Sequence, residues 1–250
     1  MDLKETKLAE LVGRLKEAAH ENLQALILFG SAARGDFREG ISDLNVLCVM
    51  HSLSMPELKR VTPVVAWWVE EQKEPAPLLL TERELHESAD VFAIELTDLQ
   101  RKRRVLHGKD VIAGIHVPMN LHRVQVEHEL RTMLLKLRQH FLLSGADATT
   151  LRSVMAKSVT SARTLSRHAL IAMGEPGNGT AREIFAQIAA KAGVSLQALE
   201  LALEFHDSES AEMEQSAVTS AYGEYLKALE GITEALDRHA PKKEWRRTGR

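Results

Sequence analysis

One cysteine, Cys48, is all that 250 residues contain. No internal disulfide can form, and its place inside an apolar strand-like run marks it as a small hydrophobe. Net charge is only −3 and the pI is near 6.4. That leaves no global field to draw the chain onto nucleic acid or an anionic membrane. No apolar run approaches the ~18 residues that cross a bilayer. The opening Met1-Asp2-Leu3-Lys4-Glu5-Thr6-Lys7 lacks the basic-then-apolar order of a signal peptide. The expectation is a cytoplasmic protein without a membrane partner. The eleven histidines form no metal set: His122 and His128 are six apart, wrong for one helix face, and no cysteine supports them. Internal repeats and low-complexity tracts are lacking too.

What is present divides into two patterns. Leu8, Leu11, Val12, Leu15 and Ala19 fall at helical spacing among Lys, Glu and Arg over residues 3–20. Residues 24–29 form a short apolar run stopped by Gly30, as a buried strand does. Residues 43–50 read as a second strand whose far end is apolar on both faces, hence central and covered on two sides. Residues 55–72 look helical, with Trp67-Trp68 as a core anchor. Leu78-Leu79-Leu80 suits a third strand, and Thr81 with Glu84 predicts a capping box on a short helix. Residues 91–96, Val-Phe-Ala-Ile-Glu-Leu, read as a fourth strand with Glu95 as the lone charge. The run Arg101-Lys102-Arg103-Arg104 reads as solvated surface.

The pattern changes after about residue 117. Val126, Leu130, Met133, Leu137 and Phe141 share one helix face. Ser144-Gly145, the Glu175–Gly179 stretch and Gly193 punctuate the helices that follow. Thr180 and Ser195 are suited to N-caps. Five helices in a bundle are expected.

The densest information lies in Ala25-Leu26-Ile27-Leu28-Phe29-Gly30-Ser31-Ala32-Ala33-Arg34-Gly35-Asp36 and then Ser42-Asp43-Leu44-Asn45. A strand ending at Gly-Ser and turning into a helix presents bare amides to a phosphate. Gly30 permits close backbone approach, and the Ser31 hydroxyl can donate to a phosphate oxygen. Arg34, one turn on, can reach a triphosphate or lock the loop. Residues 43 and 45, two apart on a strand, point to one face.

These residues resemble the signature of the nucleotidyltransferase superfamily, the DNA polymerase β-like group that includes small-molecule, aminoglycoside-modifying enzymes. The likeness covers roughly residues 20–105. It implies an α/β (α+β) nucleotidyltransferase domain with a mixed sheet over residues 1–117, then an all-α helical bundle over 118–240. Residues 241–250 make a basic tail, expected to be disordered. The resemblance further implies Mg²⁺ held by Asp43, Asn45 and a third acid on a neighbouring strand. Glu95 is the natural choice and Asp98 the fallback. Gly30, Ser31 and Arg34 would bind the nucleotide. The site would lie between the two domains, with Glu127 of the helical half as the base and a homodimer as a further option. The implied reaction moves a nucleoside monophosphate from an NTP such as ATP to a small-molecule acceptor.

One departure stands out. The signature usually ends in two acids flanking an apolar residue, and here the second is Asn45. Unit charges 4 Å apart interact by roughly 4 kcal/mol at an effective dielectric of 20, so a lost carboxylate weakens the hold on Mg²⁺ considerably. The alternative reading is therefore an inactive module of this fold that binds or regulates. In such a module Arg34 or Arg38 would fill the site. Arg123, Glu127 and Arg131 are spaced as i, i+4 ion pairs, the plainer account of Glu127. A third reading, a helical ribonuclease using Arg163 and His168, fails if either side chain is buried.

Overall fold

The computed structural model describes residues 3–34, 43–207 and 214–239, without the side chains of Ser31 and Arg34. The chain divides into two compact units, Met1–Pro118 and Met119–Arg250.

In the first unit four strands form one sheet in the order β3-β2-β1-β4. They are β1 (Leu23–Phe29), β2 (Asn45–Met50), β3 (Leu78–Thr81) and β4 (Arg103–Gly108). β1 runs antiparallel to β2 and β4, while β2 and β3 are parallel, so the sheet is mixed. Alternation along β1 and β2 feeds two cores. Leu26, Leu28, Val46, Cys48 and Met50 pack against α1 (Leu3–Ala19) and α3 (Met55–Glu70), where Trp68 is fully buried. Ala25, Ile27, Leu47 and Val49 face the other way, onto α4 (Glu82–Glu87), α5 (Ala93–Arg101) and the segment 111–117. Both faces of β1 and β2 are thus covered, as their continuous apolar runs require. Burial pushes the Cys48 thiol up to about 12, in keeping with a small hydrophobe. The Trp68 Nε1–H donates to the Pro75 carbonyl at 2.9 Å, satisfying the one polar atom of that anchor. The Thr81–Glu84 capping box forms at the head of α4.

Two assignments are corrected. Residues 91–96 are not a strand: Val91 and Phe92 are exposed, and α5 begins at Ala93. A six-residue apolar run does not distinguish the two periods. Extended to Leu99, burial at Ala93, Leu96, Thr97 and Leu99 follows the helical period. The fourth strand is β4, which starts inside the Arg-Lys-Arg-Arg run. It is an edge strand, where charged side chains discourage pairing with a second chain. Its arginines are engaged rather than simply solvated: Arg103 makes two bonds to Asp110, at 2.8 and 2.7 Å, and Arg104 pairs with Glu5 of α1 at 2.8 Å.

The second unit is helical, with α6 (Met119–Ser144), α7 (Ala148–Ala172), α8 (Ala181–Ala192), α9 (Leu196–Asp207) and α10 (Gln215–Arg238) among the described residues. Thr180 completes a capping box with Glu183, and Ser195 Oγ accepts from Ala198 N at 3.3 Å. Gly193 closes α8 in the left-handed region, at φ +71°. The buried stripe Val126, Leu130, Met133 and Leu137 lies on α6. α7 packs against each of the other four helices and is the centre of the bundle.

Candidate functional site

The sheet places the Gly-Ser turn and the end of the second motif side by side. Phe29, the last residue of β1, pairs with Asn45, the first of β2. Asn45 has the odd-numbered parity of Leu47 and Val49, which face α5. Immediately after Phe29 the chain turns at Gly30 with φ +77°, a conformation L side chains rarely adopt. A Cβ added at Gly30 would lie 3.2 Å from Asn45 Nδ2. The carboxamide therefore stands directly over the bare face of the glycine. After the turn comes α2, only Ser31–Arg34.

On the other side, Asp43 precedes β2 rather than opening it. Between the two, the Leu44 amide donates to Glu74 Oε2 at 2.9 Å, and Glu74 Oε1 accepts from Lys7 at 2.8 Å. The start of β2 is thereby fixed to the loop after α3 and to α1. Asp43 is exposed and Asn45 half-buried. Among the described residues neither side chain makes a hydrogen bond or an ion pair.

The third acid is not where a strand-borne set needs it. Glu95 is exposed in the first turn of α5, where a carboxylate answers the positive end of the helix. Asp98 is on the same helix. Among the described residues no strand carries an acid: β1 reads LQALILF, β2 NVLCVM, β3 LLLT and β4 RRVLHG. Nor do the described residues hold any group of three His, Cys, Asp or Glu suited to a metal. Mg²⁺ favours hard anionic oxygens, and among the described residues this sheet end offers one carboxylate, Asp43. The residues present do not fit a strand-borne two-ion set.

The arrangement of strands and helices is shared with a solved structure. A search of solved structures finds a spectinomycin adenyltransferase from Enterococcus faecialis, crystallised with ATP and spectinomycin. Its TM-score is 0.53 at 14% identity, over 90% of this chain and 99% of that one. The fold is nucleotidyltransferase-like. No protein-family profile matches the chain, and no characterised protein sequence matches it.

Within that fold the other candidates take the following places. Glu127 lies on α6 between Arg123 and Arg131, at 2.8 Å from each. Burial pushes its carboxyl up, but hydrogen bonds from Arg131 and Arg123 prevail and hold it below the ordinary value. The i, i+4 ion pairs predicted from spacing form, and a carboxylate so engaged is a weaker base. The ribonuclease reading is withdrawn: His168 is fully buried on α7, its Nδ1 2.9 Å from Nε2 of the equally buried His122. That contact had no sequence signal, because the two histidines are 46 residues apart on different helices. Trp67 and Trp68 are buried, with ring centroids 6.0 Å apart, and serve the core. Filling of the site by Arg34 or Arg38, the hydroxyl of Ser31 and the tail 241–250 lie outside the described residues.

Proposed function

We propose that this protein binds a nucleoside triphosphate at the end of β1 and β2, with the phosphates lying over Gly30 against Asn45 and Asp43. One observation carries the reading. In a nucleotidyltransferase-like fold, the position just past β1 combines a bare glycine backbone at φ +77° with a carboxamide that makes no bond among the described residues. A backbone without Cβ lets a phosphate approach to contact distance. The Ser31 hydroxyl would add a donor.

The test is a ligand-dependent thermal melt against ATP, GTP, CTP and UTP. A ligand at 100 times its Kd stabilises the folded state by about 2.7 kcal/mol, a readily measured rise in Tm. The rise should vanish in Gly30→Val, whose side chain would press on the Asn45 carboxamide and displace it from the turn. Equal Tm with and without every nucleotide rejects the reading.

A second reading is transfer. The solved neighbour's name couples ATP to spectinomycin, and the unengaged Asp43 is the feature here that favours the same class of reaction. An acceptor hydroxyl would attack the α-phosphorus, the bond to pyrophosphate would break, and the hydroxyl proton would pass to a base. Glu127, the base that the resemblance implies, lies on α6 of the second unit, and its two arginines make it a weaker base. Mass spectrometry of aminocyclitol acceptors incubated with ATP and the protein tests this reading. An added mass of one AMP supports it, and unchanged acceptors across the panel reject it.

A further inference from the structure

We infer that Asn45 is a neutral phosphate donor that stands in for a metal-bound carboxylate, so that the site accepts the metal-free nucleotide. The inference rests on the nucleotide-binding reading above and says how that site carries the phosphate charge.

Three independent features point the same way. First, the position is built. The backbone of Asn45 is held on both sides, by its pairing with Phe29 and by the Leu44 amide bonded to Glu74, which keeps its Cβ beside the turn. Second, the carboxamide is the group nearest the bare face of Gly30 and can turn its nitrogen toward a ligand there. An amide nitrogen offers two N–H donors. Those donors have no acceptor among the described residues, and the group is only half-buried, so a phosphate oxygen can reach it. Third, the surrounding sheet is free of acids.

A pair of strand carboxylates needs cations to overcome its repulsion of a triphosphate. Among the described residues this sheet end carries one carboxylate, Asp43, in place of a pair, and so generates less of that repulsion. Donors aimed at an anion from a fixed backbone supply charge-assisted hydrogen bonds, which are stronger than neutral ones. Among the described residues Asp43 is the remaining acid at this sheet end, exposed and outside the strand.

The substitution that discriminates is Asn45→Asp. It replaces two donors with a negative charge at nearly constant size. Binding of ATP is measured by calorimetry in EDTA and again in excess Mg²⁺, for wild type, Asn45→Asp and Asn45→Ala. Circular dichroism and Tm confirm that each variant is folded. For wild type, affinity in EDTA should be within about threefold of that in Mg²⁺. In Asn45→Asp, affinity in EDTA should fall at least tenfold, with most of the loss restored by Mg²⁺. In Asn45→Ala it should fall in both conditions, with no rescue by the ion. The side-chain amide of Asn45 gives a second readout. Its ¹⁵N–¹H resonances should shift when ATP is added in EDTA, and a purely structural asparagine would leave them in place. Wild type that binds ATP only with Mg²⁺, or Asn45→Asp that binds in EDTA like wild type, overturns the inference and leaves nucleotide binding standing. Wild type that binds in neither condition overturns both.

Discussion

His122 Nε2 and His168 Nδ1 meet at 2.9 Å inside the helical unit, and neither residue is exposed at all. On the far side of the same ring, His168 Nε2 lies 3.3 Å from Arg167 Nη2. A guanidinium only donates, so His168 Nε2 is the acceptor and its Nδ1–H donates to His122. Arg167 thereby selects the tautomer of a buried ring that joins α6 to α7.

Such a bond predicts non-additivity. Removing one partner leaves the other unsatisfied in the core, at about 1–3 kcal/mol, whereas replacing both with apolar groups is far milder. His122→Leu and His168→Leu should each lower the denaturant midpoint. The double variant should be less destabilised than the sum, by about 0.5–3 kcal/mol. Strict additivity would mean that the two rings do not share a hydrogen bond.

Two glycines should answer the same substitution with opposite signs. A Cβ at Gly108 would sit 2.0 Å from the Gln24 carbonyl oxygen, and Gly108 has φ +76°. The backbone conformation alone costs a non-glycine residue of order 1–3 kcal/mol, and the clash pushes β4 away from β1. Gly13, inside α1, has nothing within 4 Å of its would-be Cβ. Gly13→Ala should stabilise by about 0.5–1 kcal/mol through helix propensity. Chemical denaturation of both variants checks the pair. A neutral Gly108→Ala would show that the β4 register is wrong.

Acid should single out Glu127. Its folded carboxyl is held below the ordinary 4.5 by Arg131 and Arg123, against the upward push of burial. A depressed carboxyl stabilises above its unfolded value, and that contribution disappears as pH falls through the folded value. Glu127→Gln should therefore be less stable than wild type at pH 7, and the gap should narrow as pH falls below about 4.5, where the unfolded carboxyl takes up its proton before the folded one does. A gap that stays constant down to pH 3 would remove the arginines as the cause.

Much of this molecule is legible from residues alone, for identifiable reasons. β1 and β2 are continuous apolar runs bounded by Gly30 and Asp43, and burial on both faces leaves no other solution. The helix starts at Thr81 and Thr180 are legible because each cap is local, a hydroxyl and a glutamate three residues apart. Residues 91–96 mislead because five apolar residues out of six carry both periods, and the helix shows only once Thr97 and Leu99 are counted. β4 is hidden because its pairing with β1 is long-range and its leading residues, Arg103 and Arg104, look like surface. Their partners, Asp110 and Glu5, are fixed by the fold. At the candidate site, Gly30 and Asn45 stand out in the sequence, but their contact does not. The placement of Glu95 on a neighbouring strand fails with the strand itself. The His122–His168 bond spans two helices, and no spacing rule reaches that far.

The measurement that bears most directly on the account is calorimetric titration of the wild-type protein with ATP and GTP, in Mg²⁺ and in EDTA. Saturable binding of one nucleotide per chain in both conditions, abolished by Gly30→Val, is the predicted result. No heat from either nucleotide with Mg²⁺ present would contradict it, and the sheet end beside Gly30 would then not be a nucleotide site.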